Sequence, residues 1–263
     1  MELEEDAVRA DSPHGLDVRT PNSARIYDFM LGGKDNFAAD REAAAQILRV
    51  CPQARDGVRL NREFLVNAVR HLAAEAGVRQ FVDIGAGLPT QNNVHEVAHA
   101  VDRSARVVYV DNDPIVCVHG RALLADANTV AMVEADLRDP GDLYARIDET
   151  GLIDWDRPVA VLMVAMLHFV PDPYDAVARL RELMAPGGHL VISHLTRDEG
   201  DGELTDRLRD IYSRSGTPVV PRTIPEIRAL FGDFELIEDE QFMPAYLVRR
   251  FAALGWGSVG RKP

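Results

Sequence analysis

Three short stretches carry the residues whose types and spacing could do chemistry. In QFVDIGAGLPT at 80–90, an apolar strand-like run ends in Asp83 and passes into a loop holding Gly85 and Gly87. A helix-like run follows at 92–101. Glycines at such a junction leave room for backbone N–H groups at a helix start to approach a ligand. VVYVDNDP then places Asp111 26 positions after Gly85, and EADLRDP places Asp136 at the end of the next strand-like run. In doubly wound α/β folds, ligands lie beyond the carboxyl ends of the strands, and an acid at the second tip receives ribose hydroxyls. A solvated acid at a strand end is the lesser reading of Asp111, and taken alone Asp136 reads equally well either way. Three such features at successive strand ends point to a nucleotide site, with Asp136 placed to read an adenine amino group. A dinucleotide fingerprint would have a third glycine at position 90, where this chain has Thr90.

The elements that must hold these residues follow from the apolar pattern. Segments 81–84, 106–110, 129–134, 159–164 and 189–194 are short apolar runs separated by stretches that suit crossover helices, as in a buried parallel sheet. Two further strands are expected at 234–237 and 256–260, after a helix at 225–230. Ahead of the sheet, Tyr27 and Met30 fall on an apolar helical face that stops at Gly32 and Gly33. Helices at 37–50 and 58–76 follow. The chain therefore divides into an acidic tail at 1–20, a helical cap at 21–77 and an α/β core at 78–263.

Composition removes several function classes. With 29 basic and 42 acidic residues the formal charge is −13, the wrong sign for the phosphate contacts that nucleic-acid binding needs. No apolar run reaches the ~18 residues of a membrane span, and the acidic start lacks the apolar stretch of a secretion signal. Cys51 and Cys117 have no metal-ligand spacing, so a reducing, cytoplasmic setting is expected. Oligomeric state stays open.

The carboxyl half adds MVAMLHFVPDP and LRELMAPGGHLVIS, which resemble the fourth strand, fifth helix and fifth strand of Rossmann-like S-adenosylmethionine methyltransferases, including their "PGG" turn. ARIYDFMLGGKDNFAADREAA, NREFLVNAVRHL, RQFVDIGAGLPT, NNVHEVAHAV, VVYVDNDPIV and ADLRDP together resemble an actinobacterial family of such methyltransferases, largely of unknown function. The likeness runs from about position 21 to 261. It departs where Pro89 replaces the usual third glycine, a change that the first turn of a helix tolerates. It departs again at 241–254, QFMPAYLVRRFAAL, where a Trp-Arg-Pro element would be expected.

This resemblance implies a Rossmann-like, doubly wound, seven-stranded sheet, mostly parallel with the last strand antiparallel, and S-adenosylmethionine as cofactor. Gly85, Ala86 and Gly87 would meet the amino acid portion of the cofactor, and Asp83 would anchor that loop by way of the cofactor's ammonium. Asp111 would take the ribose diol, Asn112 would flank the adenine, and Asp136 and Leu137 would hold its edge and face. Val164 and Ala165 would open the methyl's path. His168 is the candidate catalytic base, since an unperturbed imidazole titrates near neutral pH; a capping or core role is the alternative. Tyr27, Met30, Lys34 and Asn36, around the Gly32–Gly33 pair, would form a lid over the cofactor, or else a plain structural helix.

Two motifs invite other readings. HEVAH at 95–99 fits the His-Glu-x-x-His pattern of zinc proteases, but no third ligand is marked out, so no metal is expected. PDPY at 171–174 echoes the tetrapeptide of amino-methylating nucleic-acid enzymes but comes several residues too late. The expected function is methyl transfer from S-adenosylmethionine to a small-molecule acceptor. A protein that binds S-adenosylmethionine or S-adenosylhomocysteine without turnover is the second reading, and a nicotinamide oxidoreductase the third.

Overall fold

The computed structural model describes residues 18–90, 92–123, 128–198, 202–214, 218–237 and 255–263. The departure noted at 241–254 and most of the acidic tail lie outside the described residues.

Seven strands form one sheet: β1 (Gln80–Ile84), β2 (Arg106–Asp111), β3 (Val130–Glu134), β4 (Ala160–Val164), β5 (His189–Leu195), β6 (Glu235–Ile237) and β7 (Gly255–Arg261). Their spatial order is β3-β2-β1-β4-β5-β7-β6. The first five pair in parallel, and β7 runs antiparallel between β5 and β6. Every residue of β1 is buried, as both faces of a central parallel strand are covered, and Phe81, Val82 and Ile84 supply its apolar surface. Side chains alternate between the faces. Val82 and Ile84 join a core with Leu143, Ile147, Val177, Leu180 and Ile227, whereas Phe81 joins a second core with Phe64, Val69, Leu72 and Val94.

Those partners come from the flanking helices α1 (Ser23–Leu31), α2 (Ala38–Val50), α3 (Ala54–Ala74), α4 (Val94–Val101), α5 (Pro114–Leu123), α6 (Pro140–Glu149), α7 (Tyr174–Leu183), α8 (Gly202–Arg214) and α9 (Ile224–Ala229). The stretch 21–77 divides in a way its helical pattern did not reveal. The apolar stripe of α3 is continuous with side chains of β1, so α3 packs on the sheet. The separate cap is α1 and α2 with α8, which no sequence signal had been assigned to. Ile26, Met30, Ala43, Ala44 and Ile47 close around Leu208 of α8. The fourth helix starts later than the glycine loop suggests. Asn92 is left-handed (φ 58) and Asn93 caps α4 with Glu96, so Pro89 stands in the loop and not in a first helical turn.

The cap is pinned by a buried ion pair. Asp40, fully buried, accepts from Arg25 Nε at 2.9 Å and from the backbone N–H groups of Asn22 (2.9 Å) and Phe37 (2.8 Å). Removing one partner of such a pair strands the other charge out of water, at a cost of about 3–5 kcal/mol. Asp40→Ala should lower the denaturation free energy by that amount in urea melts. Arg146→Ala breaks an exposed pair with Asp142 and should change it by less than about 1 kcal/mol.

Candidate functional site

The strand order reverses between β1 and β4, and the carboxyl ends on either side of that switch point open a cavity of about 440 Å³. Asp83, Gly85, Ala86, Gly87, Asp111, Asn112, Asp136, Leu137, Val164, Ala165 and His168 all line it, and Tyr27 and Met30 reach it from the cap.

Each acid is held differently. Asp83, the last residue but one of β1, is buried on the cavity floor at 6% exposure, yet its carboxylate accepts no hydrogen bond from any described residue. Burial pushes its carboxyl up to about 7; Arg62 opposes that and the charge of Asp111 adds to it. Asp111 takes Gly87 N–H on Oδ2 and Asp113 N–H on Oδ1, both at 2.9 Å, and burial raises its pKa as well. It thereby fixes the glycine loop to the tip of β2. Asp136 is partly open and clamped by the Arg138 guanidinium, which holds it down at about 2, with Asn112 Nδ2 donating to it at 3.0 Å.

Gly85 has φ +71, and a Cβ there would stand 2.7 Å from Met166 Cβ, so this position tolerates only glycine. Ala165 at the tip of β4 is left-handed (φ 56) without being glycine. Ser193 over-determines it, accepting the Ala165 N–H on Oγ at 2.9 Å. The chain of bonds continues: Ser193 Oγ donates to Asn61 Oδ1 (2.5 Å), Asn61 Nδ2 to Tyr27 Oη (2.9 Å), and Tyr27 Oη to the Val58 carbonyl (3.2 Å). A second tie runs from Asn22, the N-cap of α1, whose Nδ2 donates to Asp113 at 2.5 Å. Apart from Tyr27, none of these side chains stands out in the sequence as a site residue. Ser193 alone left a trace, as a polar interruption of the apolar run in β5.

His168 lies in a 3₁₀ turn, Leu167–Phe169, just past β4. Its Nδ1 accepts the Leu195 N–H at 3.4 Å, so the neutral ring carries its proton on Nε2. Burial, with His194 and Arg222 adding to it, holds the imidazole well below its ordinary pKa. His194 is also kept neutral, down at about 4, chiefly by burial; its Nε2 lies 2.9 Å from Arg222 and its Nδ1 2.8 Å from the Leu195 carbonyl. Neither ring keeps a free lone pair, contrary to what the unperturbed pKa of histidine suggests.

Lys34 and Asn36 do not reach the cavity. Lys34 is exposed, and Asn36 Nδ2 donates to Asp28 Oδ2 at 2.8 Å. Gly33 serves the same carboxylate, because a Cβ there would meet Asp28 Oδ1 at 1.8 Å. Gly33 thus packs a buried acid, whereas Gly32 supplies the left-handed stop of α1. The HEVAH histidines are engaged too: His95 Nδ1 lies 2.8 Å from Tyr109 Oη and His99 Nε2 2.8 Å from the Ala105 carbonyl. Among the described residues, no three His, Cys, Asp or Glu side chains are grouped to hold a metal.

Residues 9–241 match the model of a family described as S-adenosyl methyltransferase. The chain belongs to that family. A crystal structure of a candidate methyltransferase from Thermobifida fusca YX is 40% identical, with TM-score 0.86, covering 95% of this chain and 98% of that one. A DUF574 family protein from Streptomyces avermitilis MA-4680 is 37% identical, with TM-score 0.86, covering 94% and 99%. An uncharacterized methyltransferase of Mycobacterium tuberculosis H37Rv is 31% identical over 152 residues, 57% of this chain; the match spans about half (54%) of that relative's length. The cofactor of the family is S-adenosylmethionine, and the cavity's residues fit it. Asp83 is a buried carboxylate lacking a hydrogen-bond donor, as an ammonium group requires, and Gly85 leaves the space a side chain would fill.

Asp83 makes the stability of the fold sensitive to pH. Its folded pKa, about 7, lies above the ordinary 3.8, so the folded chain binds the extra proton between these values and loses stability as pH rises through them. The loss amounts to at most about 4 kcal/mol. Asp83→Asn should remove this slope, so the stability of the variant relative to wild type should rise from pH 4 to pH 8. Chemical denaturation across that range measures it; parallel curves would place the proton elsewhere.

Proposed function

We propose that the chain transfers the methyl group of S-adenosylmethionine to a small-molecule acceptor, with catalysis by positioning and exclusion of water. The observation that carries this reading is the unpartnered carboxylate of Asp83 on the floor of the cavity at the carboxyl ends of the strands, beside the Gly85–Ala86–Gly87 loop. When bound, the cofactor supplies a methyl already activated on a sulfonium, which leaves S-adenosylhomocysteine by in-line displacement.

In this reading Asp83 receives the ammonium, and the Gly85–Ala86–Gly87 backbone lies along the amino acid portion. Asp111 retains lone pairs for the ribose diol, while Asn112 and the Asp136–Arg138 pair border the adenine edge and Leu137 its face. Val164 and Ala165 bound the path to the acceptor, and the rigid turn at Ala165 keeps that path open. Met30, Phe169, Leu208, Tyr212 and Val219 give the acceptor an apolar and aromatic wall, and Phe169 and Tyr212 lie 5.5 Å apart. That wall favours a compact, largely apolar acceptor over a polyanion. His168 presents an Nε2–H, which suits it to orient an acceptor oxygen or nitrogen as a donor.

The second reading is binding of S-adenosylmethionine or S-adenosylhomocysteine without turnover. It is favoured by the same two imidazoles, since neither can take a proton from an acceptor. Formation of S-adenosylhomocysteine in an acceptor screen separates the two readings.

S-adenosylmethionine and S-adenosylhomocysteine should each raise the melting temperature, and NAD should not. A ligand at ~100 times its dissociation constant adds about 2.7 kcal/mol, or roughly 5–10 °C here. The rise should be larger at pH 8, where Asp83 is ionised, than at pH 6, and Asp83→Asn should abolish that difference. A rise with NAD alone would overturn the reading. With an acceptor in hand, His168→Gln should lower kcat by less than about tenfold and leave its pH profile unchanged, whereas loss of a general base costs about 10²–10⁴. A profile breaking near pH 6–7 in wild type and flat in the variant would restore His168 as the base.

A further inference from the structure

The opposite edge of the sheet carries a second concavity, about 510 Å³ in volume, which methyl transfer does not use. It opens at the amino ends of the parallel strands, where pairing sets Arg106 beside Gln80 and Arg261 beside His189. Arg79, Arg106, Arg157 and Arg261 line it together with His71 and His189, and Glu75 is the lining acid. In a chain with formal charge −13, this is a concentration of the opposite sign.

The arginines fall into two groups. Arg79 is committed to the fold: its Nε lies 2.7 Å from Asp102 Oδ2 and its Nη1 donates to the carbonyls of Ala73 and Val78. The guanidinium groups of Arg106, Arg157 and Arg261 have no hydrogen bond or ion pair among the described residues. Glu235 pairs in register with Arg261 but does not line the concavity and forms no ion pair with it. The framework presenting the three free groups is fixed. Gln80 accepts the Asp154 N–H on Oε1 at 2.7 Å and donates to the Asp154 carbonyl at 3.0 Å, which holds the turn leading to Arg157. Beneath them lies His189, 4% exposed, with its Nδ1 unpartnered among the described residues. Burial, then the positive charges of Arg261 and His71, keep that ring neutral, down at about 4.

Three guanidinium groups without a partner among the described residues line one concavity, and guanidinium is the side chain that recognises oxyanions. We propose that this concavity binds a small organic anion with two or more negative charges, a phosphate ester or diphosphate. Its volume exceeds what an inorganic ion fills, and the chain's overall negative charge disfavours a long polyanion. His189 and Ser193 mark the two ends of β5 that face the two sites, about 13 Å apart at the rise of a strand, so both can be occupied together.

Inorganic diphosphate is the probe, titrated into the full chain at constant ionic strength with sodium chloride as the control. At ten times its dissociation constant it should raise the melting temperature by about 3–6 °C. The rise should persist with S-adenosylhomocysteine saturating, and should fall by at least half in Arg106→Gln or Arg157→Gln and vanish in the Arg106→Gln/Arg261→Gln pair. Arg121→Gln, distant from the concavity, should keep it. No rise beyond the chloride control, a rise surviving in the double variant, or one abolished by S-adenosylhomocysteine would each overturn the proposal; the last would place the anion in the cofactor cavity. Because the readout is binding of diphosphate, failure here leaves the methyltransferase reading intact, and failure of that reading leaves this one standing.

Discussion

A carboxylate near the end of the central strand, without a hydrogen-bond donor, constrains everything around it. Asp83 follows three buried residues of β1, and the sheet offers its side chain no donor of its own. Such a charge is tolerated only if it protonates or acquires a cation. The chain leaves both routes open, with Arg62 near enough to oppose protonation and a cavity wide enough for a cationic group. Asp111, the next acid along the sheet edge, is treated in the opposite way, with backbone N–H groups on both oxygens. One carboxylate holds the loop by its backbone, and the other has no donor among the described residues.

Closing that edge requires the cap, and the cap is tied to the strand ends by polar contacts, not by apolar packing alone. Asn22 joins the start of α1 to Asp113, and the line from Tyr27 through Asn61 and Ser193 joins α1 to the strained Ala165. Buried polar chains of this kind are costly when half satisfied, which couples the position of α1 to the geometry at the tip of β4. The pair of Asp40 and Arg25 then fixes α1 to α2. The cap therefore reads as one anchored body over the site, and the loop at Gly32–Gly33 is locked around Asp28.

The sheet was legible because buried parallel strands leave unbroken apolar runs, and the acids and glycines that interrupt them mark the carboxyl ends. Asp83, Gly85, Asp111 and Asp136 could be found that way. Asn22, Asn61 and Ser193 could not, because each acquires its role from a partner 91 or 132 positions away, and no local pattern records such a pairing. Helix α8 has a sequence signal of its own: Leu204, Leu208 and Ile211 repeat at helical spacing amid charged neighbours. Lys34 and Asn36 were drawn into the site by their closeness in sequence to the glycine pair, whereas the backbone there turns away to enclose Asp28. The expectation for His168 rested on the pKa of a free imidazole. Burial and the Leu195 N–H changed both its charge and the nitrogen left available.

The charge state of that histidine fits the chemistry proposed for the cavity. A sulfonium donor and its ammonium group bring positive charge into a space of low dielectric, where a nearby imidazolium would oppose binding and the transfer would lose the benefit of Asp83. Burial keeps His168 and His194 neutral, and Arg222, the cation beside them, is directed at backbone carbonyls. Its guanidinium donates to the carbonyls of Leu167, Val170 and Pro171 and to His194, so its charge is spread into the turn that carries His168. The same contacts fix that turn. A single buried arginine thus holds that turn while helping to keep the two imidazoles uncharged, and the carboxylates at the strand ends face the cavity together with Arg62 and Arg138.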